Sequence, residues 1–219
     1  MWRAFCFILW MSTPARACDL ALLLAVDVSG SVDAQEYRIQ MDGLAHAVRD
    51  GIVADALIEQ RAQVALVQWT GSSRQQQTIP WTAIRTYQDV LTLADRIEED
   101  ARIWRNYSTA IGEALSVSRA AFAPVVHCER KVIDVSGDGV SNEGLEPATQ
   151  RSDLNDAGII VNAIAIETDK TDLTAYFFEN VITGPGAFVV TAQGFEDYPE
   201  QIKRKLQRET TRQVTFRAE

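Results

Sequence analysis

Seven consecutive apolar residues, Leu20–Val26, stand between two aspartates, Asp19 and Asp27. The run is far shorter than the ~20 residues that cross a bilayer. It is uniformly apolar, without the one-sided spacing of a surface helix. A short segment that is apolar on both sides is the mark of a strand buried inside a parallel sheet. Further strands are read at Gln63–Trp69, Lys131–Val135, Ile159–Ile166 and Ala187–Val190. Arg74–Trp81 is polar and carries Pro80, which suits an edge strand. Between the strands lie helical patterns at Asp33 to about residue 54, Tyr87–Ile103, Thr109–Phe122, Glu146–Ala157 (stopped by Gly158), Asp172–Asn180 and Phe195 to about residue 212. The last has a basic, polar face. Strands alternating with helices predict a doubly wound α/β fold: a mainly parallel central sheet, one antiparallel edge strand and helices on both faces. On such sheets ligands bind beyond the carboxyl ends of the strands, where strand order reverses.

Composition narrows the functions open to this fold. The chain has 219 residues, 47% of them hydrophobic and 23% charged, which fits one globular domain. A net charge of −9 and a pI near 4.8 exclude a binder of nucleic-acid phosphates. Two histidines and three cysteines are too few for a His-rich metal site, a zinc ribbon or an iron–sulfur cluster.

Residues 1–17 read as a signal peptide. Arg3 precedes the apolar run Ala4–Met11, and Ala15-Arg16-Ala17 offers small residues for a cut after Ala17. Residues 18–219 then form the mature domain, periplasmic or secreted. The competing reading is a buried N-terminal strand or helix. Ala15 and Arg16 do not suit lipoprotein processing, so a lipid anchor on Cys18 is not expected. No other segment approaches transmembrane length.

Directly after the first strand comes Asp27-Val28-Ser29-Gly30-Ser31. It offers a carboxylate and two hydroxyls on a loop at the sheet's carboxyl edge, with Gly30 allowing a sharp turn. Hard oxygen donors of this kind suit Mg²⁺. Alone, the same residues could instead cap the helix that begins near Asp33.

Two more segments bear on that choice. Ser108-Thr109-Ala110-Ile111-Gly112 opens a helix, and Ser136-Gly137-Asp138-Gly139 follows a buried strand. This set resembles the von Willebrand factor type A (VWA) domain and its metal-ion-dependent adhesion site (MIDAS). The phrases A-V-D-V-S-G-S-V and V-I-D-V-S-G-D-G are similar to those of a secreted bacterial branch of that family. The resemblance covers about residues 18–213. It implies a Rossmann-like VWA fold in which Asp27, Ser29, Ser31, Thr109 and Asp138 share one divalent cation, Mg²⁺ or else Mn²⁺ or Ca²⁺. It also implies a protein partner that presents an Asp or Glu to the metal, and a binding role without enzymatic activity. The chain departs from many relatives before Thr109, where Trp104-Arg105-Asn106-Tyr107 replaces a glycine-rich loop.

In the family's strand order the strands ending at Asp27 and Asp138 lie side by side. Cys18 lies nine residues before Asp27, and Cys128 ten before Asp138. With Cys6 removed in the leader, a Cys18–Cys128 disulfide is expected in an oxidising compartment. The alternative is two buried free thiols. Asp134 interrupts an apolar strand and must find donors. It is read either as satisfied by backbone N–H groups or hydroxyls, or as orienting a metal ligand. An alternative function, a metal-dependent hydrolase using the same loops, would rest on Glu167 and Asp169 as spare carboxylates.

Overall fold

The computed structural model describes residues 18–168 and 172–211. The expected leader, 1–17, lies outside the described residues. Six strands form one sheet: β1 (Leu20–Asp27), β2 (Gln63–Trp69), β3 (Gln75–Ala83), β4 (Arg130–Gly137), β5 (Ile159–Ile166) and β6 (Val189–Ala192). Their order is β3-β2-β1-β4-β5-β6. Only β2 and β3 pair antiparallel. Seven α-helices connect them among the described residues: α1 (Ala34–Arg49), α2 (Gly51–Glu59), α3 (Tyr87–Glu99), α4 (Ile111–Ala121), α5 (Arg151–Asp156), α6 (Leu173–Asn180) and α7 (Tyr198–Thr210).

Every residue of β1 is buried, as its unbroken apolar composition requires. Alternate side chains serve two cores. Leu20, Leu22, Leu24 and Val26 pack under α1, α2, α3 and α7. Ala21, Leu23 and Ala25 pack under α4, α5 and α6.

Three helices differ from their sequence patterns. The pattern from Asp33 to about residue 54 is broken at Asp50, whose carboxylate caps a second helix by accepting from Ile52 and Val53 N–H. The pattern Tyr87–Ile103 stops at Glu99, because Gln68 draws the Asp100 carboxylate and the Ala101 carbonyl onto the sheet edge. Glu146–Ala157 is a 3₁₀ turn, Pro147–Gln150, followed by the six residues of α5. Gly158 ends it in a left-handed conformation (φ +64°), which favours glycine.

The cysteines meet at the lower ends of β1 and β4. Cys18 and Cys128 form a disulfide with Cα atoms 4.6 Å apart. The pairs Leu20↔Arg130 and Val26↔Ser136 show why: β1 and β4 run in near-equal register from one end of the sheet to the other.

Candidate metal centre

β1 has β2 on one side and β4 on the other, so the strand order reverses there. The crevice between the upper ends of β1 and β4 is therefore the switch point at which this architecture binds ligands. Asp27 closes β1, and Asp138 follows β4 by one residue. The fold brings together residues more than a hundred positions apart.

Local bonds shape the loop after β1. Asp27 Oδ1 accepts from Ser29 N–H at 2.7 Å. Ser29 Oγ and Ser31 Oγ lie 3.2 Å apart, and Ser31 Oγ donates to Asp138 Oδ1 at 2.6 Å. These residues do not cap α1. That role falls to Asp33, which accepts from Gln35 and Glu36 N–H while Glu36 returns a bond to Asp33 N–H. Thr109 stands at the mouth of α4, where its N–H donates to Asn142 Oδ1 at 2.9 Å and its carbonyl accepts from Asn142 N–H. Its Oγ1 lies 3.9 Å from the point that a Cβ on Gly139 would occupy, so the threonine faces the loop after β4.

Asp27 is fully buried. Its Oδ2 has no hydrogen-bond partner among the described residues. A Cβ on Gly137 would come within 3.1 Å of this oxygen and within 3.3–3.5 Å of Phe177 and Trp69, so a larger residue there would press on the carboxylate. Burial, and next the charge of Asp138, push the Asp27 carboxyl up to about 8. A buried carboxyl beside a second carboxylate is the arrangement whose charge a divalent cation relieves. The donor set is two carboxylates and three hydroxyls, all hard oxygens, and it fits Mg²⁺-type ions. Among the described residues no group of three or more His, Cys, Asp or Glu converges, so the hydroxyls are indispensable to any such site.

Arg102, Gln68, Gln40 and Arg74, none of them singled out in the sequence, help to position the loop together with Gly30 and Tyr107. Arg102 Nη2 donates to the carbonyls of Val28 and Ser29, at 3.0 and 2.8 Å. Gly30 N–H donates to the Tyr107 carbonyl at 2.8 Å. A Cβ on Gly30 would sit 3.2 Å from that carbonyl oxygen, so glycine is needed for close approach more than for a sharp turn. Residues 100–107 thus form a strap over the metal loop. Gln68 holds one end by accepting from Ile103 N–H and donating to the Ala101 carbonyl. Asn106 turns the other end with φ +57°. The Arg74 guanidinium stacks 3.7 Å from the Tyr107 ring. The buried amide of Gln40 bridges the Asp27 carbonyl and Ser136 Oγ, each at 3.4 Å.

Asp134 is the one expected site residue that the structure does not bring to this set. Its register partner is Leu24, three residues below Asp27, and it faces α7. There it forms an ion pair with Lys205, a partner that neither reading of the sequence contained. Glu167 lines the cleft beside the set, while Asp169 lies outside the described residues. The histidines stand elsewhere: His46 is in the last turn of α1, and His127 precedes β4.

Comparison with known proteins agrees with this architecture. Proximal thread matrix protein 1 of the mussel byssus superposes with a TM-score of 0.65 at 20% identity, over 87% of this chain and 47% of its own. A structure of the same mussel protein with zinc in its MIDAS motif gives 0.65 at 19%, over 89% and 46%. The von Willebrand factor type A structure from Catenulispora acidiphila gives 0.55 at 16%, over 89% and 42%. The chain therefore spans about half the length of these proteins, and at such identities the likeness is one of fold. Curated proteins yield no match. Residues 17–214 match the family described as "Protein of unknown function (DUF1194)", and the chain belongs to that family, built on the von Willebrand factor type A fold.

Proposed function

We propose that this is an exported adhesion-type module that holds one divalent cation, Mg²⁺, and docks a protein partner through it, without catalysis. Asp27, Ser29, Ser31, Thr109 and Asp138 hold the ion. The observation that carries this reading is the Asp27 carboxylate, fully buried beside Asp138 with Oδ2 making no hydrogen bond among the described residues. When bound, the cation supplies positive charge that an acidic side chain of the partner completes. Two carboxylates against a dication leave the site near neutral, so one more carboxylate is accepted at little electrostatic cost. Mn²⁺ or Ca²⁺ could take the same oxygens.

The Cys18–Cys128 bridge supports export, because such bonds persist in oxidising compartments. Cleavage after Ala17 would leave Cys18 first, in the periplasm or outside the cell. A sulfur engaged in that bridge cannot also carry a thioether-linked lipid, which speaks against an anchor there. No helix among the described residues is long and apolar enough to cross a membrane.

Calorimetry with Mg²⁺ tests the site. One ion per chain is expected, and Asp27→Ala should abolish binding while the fold survives. Unchanged affinity in that variant rejects the assignment. Partner capture in Mg²⁺ but not in EDTA is the corresponding result for the docking role.

A further inference from the structure

The cleft beside the metal set contains a carboxylate for which the cation site has no use. Its volume is about 310 Å³, and Ser31, Thr109 and Asp138 line one part of it. Glu167 lines another. The two acids leave neighbouring strands: Gly137 of β4 pairs with Ala165 of β5, so Asp138 lies one residue past that pair and Glu167 two. Adjacent strands are about 4.8 Å apart, which places Glu167 one strand over from the cation.

Glu167 is held in place. Its N–H donates to the Ala192 carbonyl at 2.9 Å. Its Oε1 accepts from Thr174 Oγ1 at 2.7 Å and from Thr174 N–H at 3.3 Å. Its Oε2 has only a long contact, 3.4 Å, from the exposed Gln193 amide. All these donors are neutral. Among the described residues no Lys or Arg pairs with Glu167, and no basic residue lines the cleft. One cleft therefore presents a site for a carboxylate and, a strand away, a fixed carboxylate that has no counter-charge among the described residues. Charge complementarity then asks for an ammonium or guanidinium beside the ligand's own carboxylate.

We infer that Glu167 reads a cationic side chain on the same partner segment that gives its Asp or Glu to the metal. The occupant of the cleft is a polypeptide segment carrying one acidic and one basic residue a short reach apart. The inference rests on the proposed cation site, and the test separates the two.

The probes are butyrate against 4-aminobutyrate, and hexanoate against 6-aminohexanoate, titrated into the Mg²⁺-saturated chain and followed by NMR. Members of a pair share the carboxylate anchor and differ only in the ammonium. At least one amino acid should bind about 5-fold more tightly than its plain acid, the span of a partly exposed ion pair. Glu167→Gln should bind the two members equally, and Glu167→Lys should reverse the preference. The wild-type comparison needs no variant, so a folding defect in either substitution leaves the test intact. If Mg²⁺ binds but no probe does, the docking of a carboxylate at the cation fails and this inference falls with it. Binding of the plain acids with no preference for the ammonium overturns the inference and leaves the cation site standing. A second Mg²⁺ per chain that disappears in Glu167→Gln also overturns it, by making Glu167 a metal ligand.

Discussion

Burial and the neighbouring Asp138 charge raise the Asp27 carboxyl from its ordinary 3.8 to about 8. Between those two values the folded chain keeps a proton that the unfolded chain has released. Stability of the metal-free protein should therefore fall as pH rises through that window. Glu209 is likewise pushed up to about 8, first by burial and then by Asp134, and adds to the same slope. Asn at position 27 keeps the acceptor for Ser29 N–H and removes the titrating charge. Asp27→Asn should raise the melting temperature in EDTA at pH 8 by at least ~3 °C, since about 1 kcal/mol is worth roughly 2–4 °C at this chain length. It should also abolish Mg²⁺ binding. Scanning calorimetry at pH 5 and pH 8, with and without Mg²⁺, checks both. A variant that melts lower than wild type at pH 8 would contradict the account of Asp27. The residue types at this site were legible, because Asp, Ser and Ser at alternate positions after an apolar strand have few uses. The unpartnered oxygen was not, since it depends on Gly137, Trp69 and Phe177 closing around it.

At the scale of elements, α7 was the least legible. Its run Lys203-Arg204-Lys205 reads as a solvated basic face, and Lys203 and Arg204 do pair with Glu200 at the surface. Lys205 is instead fully buried. Its ammonium meets Asp134 of β4 and both oxygens of Glu209, the latter at 3.2 and 3.3 Å. The physical reason is helical spacing. Tyr198, Ile202, Leu206 and Glu209 share a stripe that faces the sheet, and Lys205 falls inside that stripe. The odd aspartate in β4 and the odd lysine in α7 explain each other only once the two elements pack. Lys205→Met should destabilise the fold by about 3–5 kcal/mol, because it strands buried carboxylates. The triple change Lys205→Met, Asp134→Leu and Glu209→Met should recover most of that loss. Urea unfolding of the two variants decides it, and equal stability of Lys205→Met and wild type would remove the ion cluster from any structural role. The strap over the metal loop belongs to this scale too. Trp104–Tyr107 stood out as a departure, but its attachment through Arg102 and the Tyr107 carbonyl has no sequence signature.

For the whole molecule, the disulfide joins residues 110 positions apart and ties the start of β1 to the start of β4, the two strands that lead to Asp27 and Asp138. On the chain-entropy account, closing a loop of about this length contributes ~4–5 kcal/mol. The paired change Cys18→Ser and Cys128→Ser should lower unfolding free energy by up to that amount, with little effect on Mg²⁺ affinity, since the bridge lies at the opposite end of β1 and β4 from the metal set. Denaturant unfolding and calorimetry check the two halves, and two alkylatable thiols in oxidised, exported wild-type protein would remove the bridge. The amino-acid sequence by itself determined the strands, their buried or edge character, the parallel α/β class and the donor residues, because local periodicity and residue chemistry encode all of these. Pairing of the cysteines followed from counting along strands whose neighbour relation came from family resemblance. Only the tertiary structure decided which polar residues face one another across elements: Lys205 against Asp134, Arg102 against the metal loop, Glu167 in the cleft, and Asp27 Oδ2 with no hydrogen-bond partner among the described residues. Such meetings depend on how helices seat on the sheet, and no local pattern records them.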